Sequence, residues 1–233
     1  MIQAIEAVVR TGSAGVGMVA ASPAAARCLA RGAGTVITSH GDPAQARAAA
    51  RQLVAGGARA ILSFGPAVGL APLLRPGDLV IAECVVMPEG GTIATDPAWR
   101  TELEQRLSVT HPGLTVARLA GRDRLAASAA EKRTVFRETF AAALDSESHA
   151  IAAVAQAACL PFVAVRAIAD PAEENRPTAC RSARNAYAAS LPACLGRPWE
   201  LPALWRFARD GRAALATLRQ VANLGPWPHP QDG

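Results

Sequence analysis

The chain has 233 residues, a net charge of +5, 51% apolar residues and only 4% aromatic ones. That suits one large α/β domain, or one domain with an appendage, with a core of Ala, Val, Leu and Ile. The positive charge comes from scattered arginines, with Lys132 the only lysine and no basic run interleaved with aromatics. This argues against a nucleic-acid partner. The five cysteines (Cys28, Cys84, Cys159, Cys180 and Cys194) are odd in number and lack metal spacing. Reduced thiols in a cytoplasmic chain are expected, with no metal and no cofactor. The first residues lack a basic segment followed by a long apolar core, so no signal peptide is expected.

Ile5 to Val9 is predicted as a strand. It runs into the glycine-rich stretch Thr11 to Gly17, where backbone N–H groups around Gly12 and Gly15 could cradle phosphate; a plain turn fits equally well. Thr35 to Ser39 is a predicted strand, and His40-Gly41-Asp42-Pro43 a turn. Ala44 to Val54 is a helix ended by Gly56-Gly57. Arg59 to Phe64 is a strand followed by a small-residue loop, Gly65 to Gly69. Asp78 to Val86 is a strand, Pro88 to Pro97 a loop, Trp99 to Leu107 a helix and Leu114 to Leu119 a strand. Ala129 to Arg137 is a helix and Phe140 to Leu144 a strand. Ala150 to Ala158 is an alanine-rich helix ended at Leu160-Pro161. Phe162 to Ile168 is a continuous apolar strand of the kind buried inside a parallel sheet. Pro171 to Thr178 is polar and mobile in composition. Ala183 to Ser190 and Leu201 to Val221 are helices, the second with an apolar face through Leu204, Phe207, Ala208, Leu215, Leu218 and Ala222. Residues 1–224 form a single domain on this reading, and 225–233, with three prolines, a flexible tail.

The stretch from Glu147 to Pro177 is the most informative. A helix start presents Glu147, and a strand end presents Asp170, at the edge where open α/β sheets bind ligands. From the residues alone, Glu147 also serves as a local cap and Asp170 as the start of a turn before Pro171.

Asp145-Ser146-Glu147-Ser148-His149 and Val165-Arg166-Ala167-Ile168-Ala169-Asp170 resemble signature segments of the purine nucleoside phosphorylase and nucleosidase superfamily. So does Ser63-Phe64-Gly65-Pro66-Ala67-Val68-Gly69-Leu70, followed by Leu74 to Val80. The resemblance runs from about Thr35 to Val221 and is greatest for the hopanoid-biosynthesis-associated branch. It implies a three-layer αβα sandwich with a mixed, largely parallel central sheet. It implies Asp170 as the acid that protonates the departing purine and Glu147 as the carboxylate on the ribose hydroxyls. It places Ser63, Phe64, Gly65, Ala67, Gly69, Gly121 and Ser146 around the nucleoside. His149 either lines the pocket or is a satisfied structural histidine.

The resemblance also implies a small-molecule nucleoside substrate, cleaved by phosphorolysis with phosphate as co-substrate or by hydrolysis, and adenosylhopane for this branch. A smaller nucleoside such as methylthioadenosine, or nucleoside binding without catalysis, are the alternatives. Homo-oligomers are expected. A hopanoid lipid substrate implies peripheral contact with the inner membrane, for which Trp205, Arg206, Arg209, Arg212 and Arg219 of the last helix are candidates. Two departures stand out: Pro66 lacks an N–H, and Val68 replaces a glycine. No acidic residue lies between Arg10 and Ala30, where superfamily hydrolases carry their water-activating group.

Overall fold

The structure, a computed structural model, describes residues 7–8, 15–29, 34–181, 198–224 and 227. A mixed sheet of nine strands lies between two layers of helices. Strands β2 (Val16–Ala20), β3 (Thr35–Thr38), β4 (Ala60–Gly69) and β9 (Phe162–Asp170) run parallel. Strands β5 (Leu79–Val86), β7 (Thr115–Gly121) and β8 (Ala143–Asp145) run the opposite way, β5 against β9 and β8 against β4. The short strands β1 (Ala7–Val8) and β6 (Thr92–Ala94) flank the sheet antiparallel to β3 and β5. Since β4 pairs with both β8 and β9, and β5 with both β7 and β9, five strands close into a ring. Nothing in a hydrophobic pattern signals that closure.

Helices α1 (Pro23–Leu29), α3 (Pro97–Ser108) and α7 (Leu201–Asn223) cover one face. Helices α2 (Pro43–Ala55) and α5 (Ser148–Ala157) cover the other. Helix α4 (Ala129–Thr139) closes a smaller cluster around Val68 and Leu144, and α6 (Thr178–Arg181) is a single turn. Side chains cap α2 and α4. Asp42 accepts from Ala44 and Gln45 N–H with Pro43 in the first turn, and Ser128 and Glu131 form a capping box on α4.

Some elements differ from expectation. The glycine-rich stretch does not continue as a loop through Gly17: Val16–Ala20 is a buried central strand, and α1 follows it. Gly17 is there for packing, because a Cβ would stand 3.0 Å from Leu53 and Ala58. Gly65 to Gly69 is likewise strand, not loop. A Cβ at Gly65 would reach Ala21 Cβ at 2.5 Å, so glycine lets β2 and β4 approach. Pro66 is tolerated because its face of β4 points past the end of β2, whose last bond is Ala21 N–H to the Phe64 carbonyl. The Pro88 to Pro97 loop contains β6. Phe140 is not in a strand: it is exposed and caps α4 in a left-handed conformation. The last helix buries Phe207, Ala214, Leu218, Val221 and Ala222, together with Asp210, so its inner face is shifted from the predicted one. Trp227, expected in the flexible tail, is buried edge-on against Phe64 with ring centroids 5.7 Å apart. The predicted helix Ala183 to Ser190 lies outside the described residues, as do Gly12 and Cys194; Cys28, Cys84 and Cys159 are free thiols.

Candidate active site

The register of β4 sets the scale of the site. Ala20 at the end of β2 pairs with Phe64, and Ser39, just past β3, donates its N–H to the Ala20 carbonyl. Asp145 ends β8 one residue beyond Leu144, which faces Val68. Asp170 ends β9, also level with Val68, after a register shift that re-aims the strand end. Ser39 and Asp170 are thus separated by about three to four residues along β4, roughly 10–13 Å of strand. The two predicted carboxylates, Glu147 and Asp170, occupy one edge of the sheet, above the carboxyl-terminal half of β4.

Glu147 sits at the start of α5 and is buried. Its Oε1 is in short hydrogen-bonding contact with Ser39 Oγ and accepts from Gly41 N–H at 3.0 Å. Ser39 Oγ also lies 3.1 Å from the Ala20 carbonyl. Ser146 donates its hydroxyl to the Gly41 carbonyl at 2.9 Å, so the Ser39-His40-Gly41 turn is gripped from both sides. That turn needs left-handed backbone, with φ of 56° at His40 and 75° at Gly41. Burial pushes the Glu147 carboxyl up to about 7, against the opposing pull of Arg166 and the Ser39 and Gly41 bonds.

Below Glu147 lies a buried polar cluster that sequence reading did not assemble. Arg166 Nε donates to Asp145 Oδ2 at 2.5 Å, and its Nη2 donates to Ser63 Oγ at 2.5 Å and Ser148 Oγ at 2.8 Å. Asp145 Oδ1 accepts the N–H groups of Glu147 and Ser148, and its Oδ2 accepts the Ser148 hydroxyl at 2.5 Å. Burial opposes charge on Asp145, yet Arg166 and the Ser148 bonds outweigh it and hold the carboxyl below its ordinary range. Asp145 therefore orients the first turn of α5, the turn that carries Glu147. The lone arginine in the apolar strand Phe162 to Ile168 was the signal for this cluster, since a buried guanidinium requires partners.

Asp170 is held from two sides. Lys132 Nζ lies 2.6 Å from Oδ1, and Arg176 Nη2 lies 3.1 Å from Oδ2. Lys132 also donates to the carbonyls of Pro171 and Glu174, so the polar Pro171 to Thr178 segment is tied down rather than mobile. Arg176 N–H bonds Ala127 O, and Ala129 N–H bonds Asn175 Oδ1.

The remaining predicted residues separate into groups. Ser63 points into the polar cluster, while Phe64 turns the other way into the core. Ala67 and Gly69 lie along β4, with Gly69 close to Ile168. Gly121 ends β7 beside Asp145. Gly15 stands at the opposite end of β2, where its carbonyl accepts from Arg59 and Ala60, and is not brought to the site. His149 is buried, with Nε2 3.0 Å from Asp123 Oδ1. A Cβ at Gly121 would stand 2.4 Å from His149 Cβ. Gly121→Ala should therefore destabilise the fold by about 1–3 kcal/mol, read as a denaturant midpoint, and His149→Gly, which removes the Cβ in the way, should cost less in the Gly121→Ala background than in the wild type. An unshifted midpoint in the single variant would show that α5 can move away freely.

A cavity of about 400 Å³ opens beside this edge, between α1 and α7. Pro66, Ser22, Phe207 and Leu215 line it, with Arg27 and Arg212, and no carboxylate among the described residues of its wall. Among the described residues no cluster of His, Cys, Asp or Glu is arranged to hold a metal ion. No helix of the described residues is long and apolar enough to cross a membrane.

Residues 7–191 match the profile of the phosphorylase superfamily. The chain belongs to this superfamily, which is one of enzymes. Among solved structures it is similar to the futalosine hydrolase of Helicobacter pylori strain 26695, with a TM-score of 0.68, 16% identity and coverage of 90% of this chain and 97% of that one. It is also similar to the 5'-methylthioadenosine/S-adenosylhomocysteine nucleosidase of Helicobacter pylori, with a TM-score of 0.67, 16% identity and coverage of 91% and 99%. The S-adenosylhomocysteine nucleosidase of Streptococcus pyogenes follows at a TM-score of 0.66, 19% identity and coverage of 93% and 99%. No curated protein matches the sequence. At these identities the likeness to solved structures is one of fold, and superfamily membership rests on the profile.

Proposed function

We propose that this superfamily member cleaves a purine N-ribosyl bond and releases adenine. The observation that carries the reading is the pair of buried carboxylates, Glu147 and Asp170, on one edge of the sheet. Cleavage leaves positive charge on the sugar and negative charge on the base. Glu147 meets the first need, as an anion that orients the ribose hydroxyls and stabilises the cation. Asp170 meets the second, as the group that protonates the purine. Its two oxygens contact Lys132 and Arg176, so the base must approach an already occupied carboxyl group.

Phosphate is proposed as the sugar acceptor. The cavity wall beside Pro66 carries Arg27 and Arg212, which suit an anion, and among its described residues no carboxylate to activate water. The substrate proposed is adenosylhopane, which the sequence resemblance implies; the mainly apolar cavity supports a nucleoside with an apolar 5' extension. Trp199, Leu201 and Trp205 are exposed and suit contact with a lipid surface. Two of the arginines expected to add charge there are spent locally, Arg206 on Glu174 at 3.4 Å and Arg209 on Asp210 at 2.8 Å.

The test incubates the protein with adenosylhopane and, separately, methylthioadenosine, with and without phosphate, and follows the sugar product. Phosphorolysis predicts a sugar 1-phosphate and a rate that saturates with phosphate. The free sugar at equal rates in both arms would make the enzyme a hydrolase. Binding of both nucleosides with no product would make it a binding protein.

A further inference from the structure

Lys132, the only lysine of the chain, is 0% exposed. Its three ammonium protons have three acceptors: Asp170 Oδ1 at 2.6 Å, Pro171 O at 2.7 Å and Glu174 O at 2.8 Å. Three arginines of this chain already serve buried or half-buried carboxylates, so a cation for Asp170 did not require lysine. A guanidinium keeps its proton at any working pH, whereas an ammonium can release one. We propose that Lys132 is a positioning residue that acts through Asp170 by supplying the proton the departing purine receives.

The step balances within the pair and the substrate. An Nζ–H bond of Lys132 breaks as an Oδ1–H bond forms on Asp170. That O–H turns about its C–O bond toward the purine. It breaks as a ring N–H forms and the N-ribosyl bond cleaves, its electron pair leaving with the base. Lys132 is left as a neutral amine, Asp170 as a carboxylate, and solvent returns the proton after the base departs. Burial already draws the Lys132 ammonium below its ordinary range, with Asp170 opposing and Arg176 reinforcing that shift. The charged groups facing the pair are Arg176 on Oδ2 and Glu174, whose side chain is paired with Arg206; Asp210 lines the same small hollow as Asp170. Glu131, next to Lys132 on α4, is turned to the Ala127 and Ser128 amides.

The inference rests on the base-release reading above. It is tested with methylthioadenosine and its N7-methyl derivative, whose base already carries the positive charge and leaves without a proton. In the wild type, turnover of methylthioadenosine should fall at alkaline pH, beginning below the ordinary lysine range, while the N7-methyl compound shows no such fall. Lys132→Met and Lys132→Arg should lower methylthioadenosine turnover by about 10²-fold or more relative to the N7-methyl compound. Equal losses on both substrates, or the same alkaline fall for both in the wild type, would overturn the proposal and leave Lys132 as packing. The wild-type profile decides even if neither variant folds. A wild type that cleaves neither compound overturns the base-release reading, and this inference with it.

Discussion

Asp170→Asn is expected to lower adenine release by about 10²- to 10⁴-fold, the usual range for loss of a general acid. The variant should also lose stability. Asp170 is the carboxylate on which Lys132 and Arg176 converge in a site that is 1% exposed. Asparagine leaves two buried cations facing a neutral amide, and removing one partner of such a buried group costs about 3–5 kcal/mol. Thermal melting and adenine release should therefore be measured together. Near-normal turnover would place the acid elsewhere, whatever the melting temperature.

Glu147→Gln is expected to remove most activity and to change its pH dependence. The carboxyl rises from an ordinary 4.5 to about 7 through burial. As the anion is the form that stabilises a sugar cation, kcat/KM should rise with pH through about 7, to a plateau that ends where the alkaline fall expected from Lys132 begins. The glutamine variant should lack that rise. The stability effect has the opposite sign. Between 4.5 and about 7 the folded state holds the proton that the unfolded state has released, so stability falls as pH rises through this window. The difference amounts to about 3 kcal/mol above pH 7, at about 1.4 kcal/mol per pK unit. The variant should be at least as stable as the wild type at pH 8 and show a flatter dependence of melting temperature on pH. A wild-type rate profile that is flat from pH 5 to 9 would mean that Glu147 is not the group the sugar senses.

Much of the fold was legible because its signals are local. The His40 to Pro43 turn marks the start of α2, and the apolar run from Phe162 marks a buried strand. The misreadings also have a physical reason. Gly17, Gly65 and Pro66 were read as loop residues, but the glycines admit a neighbouring backbone or helix and Pro66 lies where its strand neighbour has ended. Such causes are tertiary and leave no trace in a one-dimensional pattern. The positions of Glu147 and Asp170 followed from motif order. Their partners did not, because Ser39, Lys132 and Arg176 are brought in by register and by the closure of the sheet.

The most direct measurement is the appearance of adenine, by chromatography, when the purified protein is incubated with adenosylhopane beside the Asp170→Asn and Glu147→Gln variants. The account predicts one adenine formed for each nucleoside consumed by the wild type, with both variants reduced by at least about 10²-fold. Intact nucleoside after prolonged incubation with stoichiometric wild-type protein, or equal adenine from all three proteins, would contradict it.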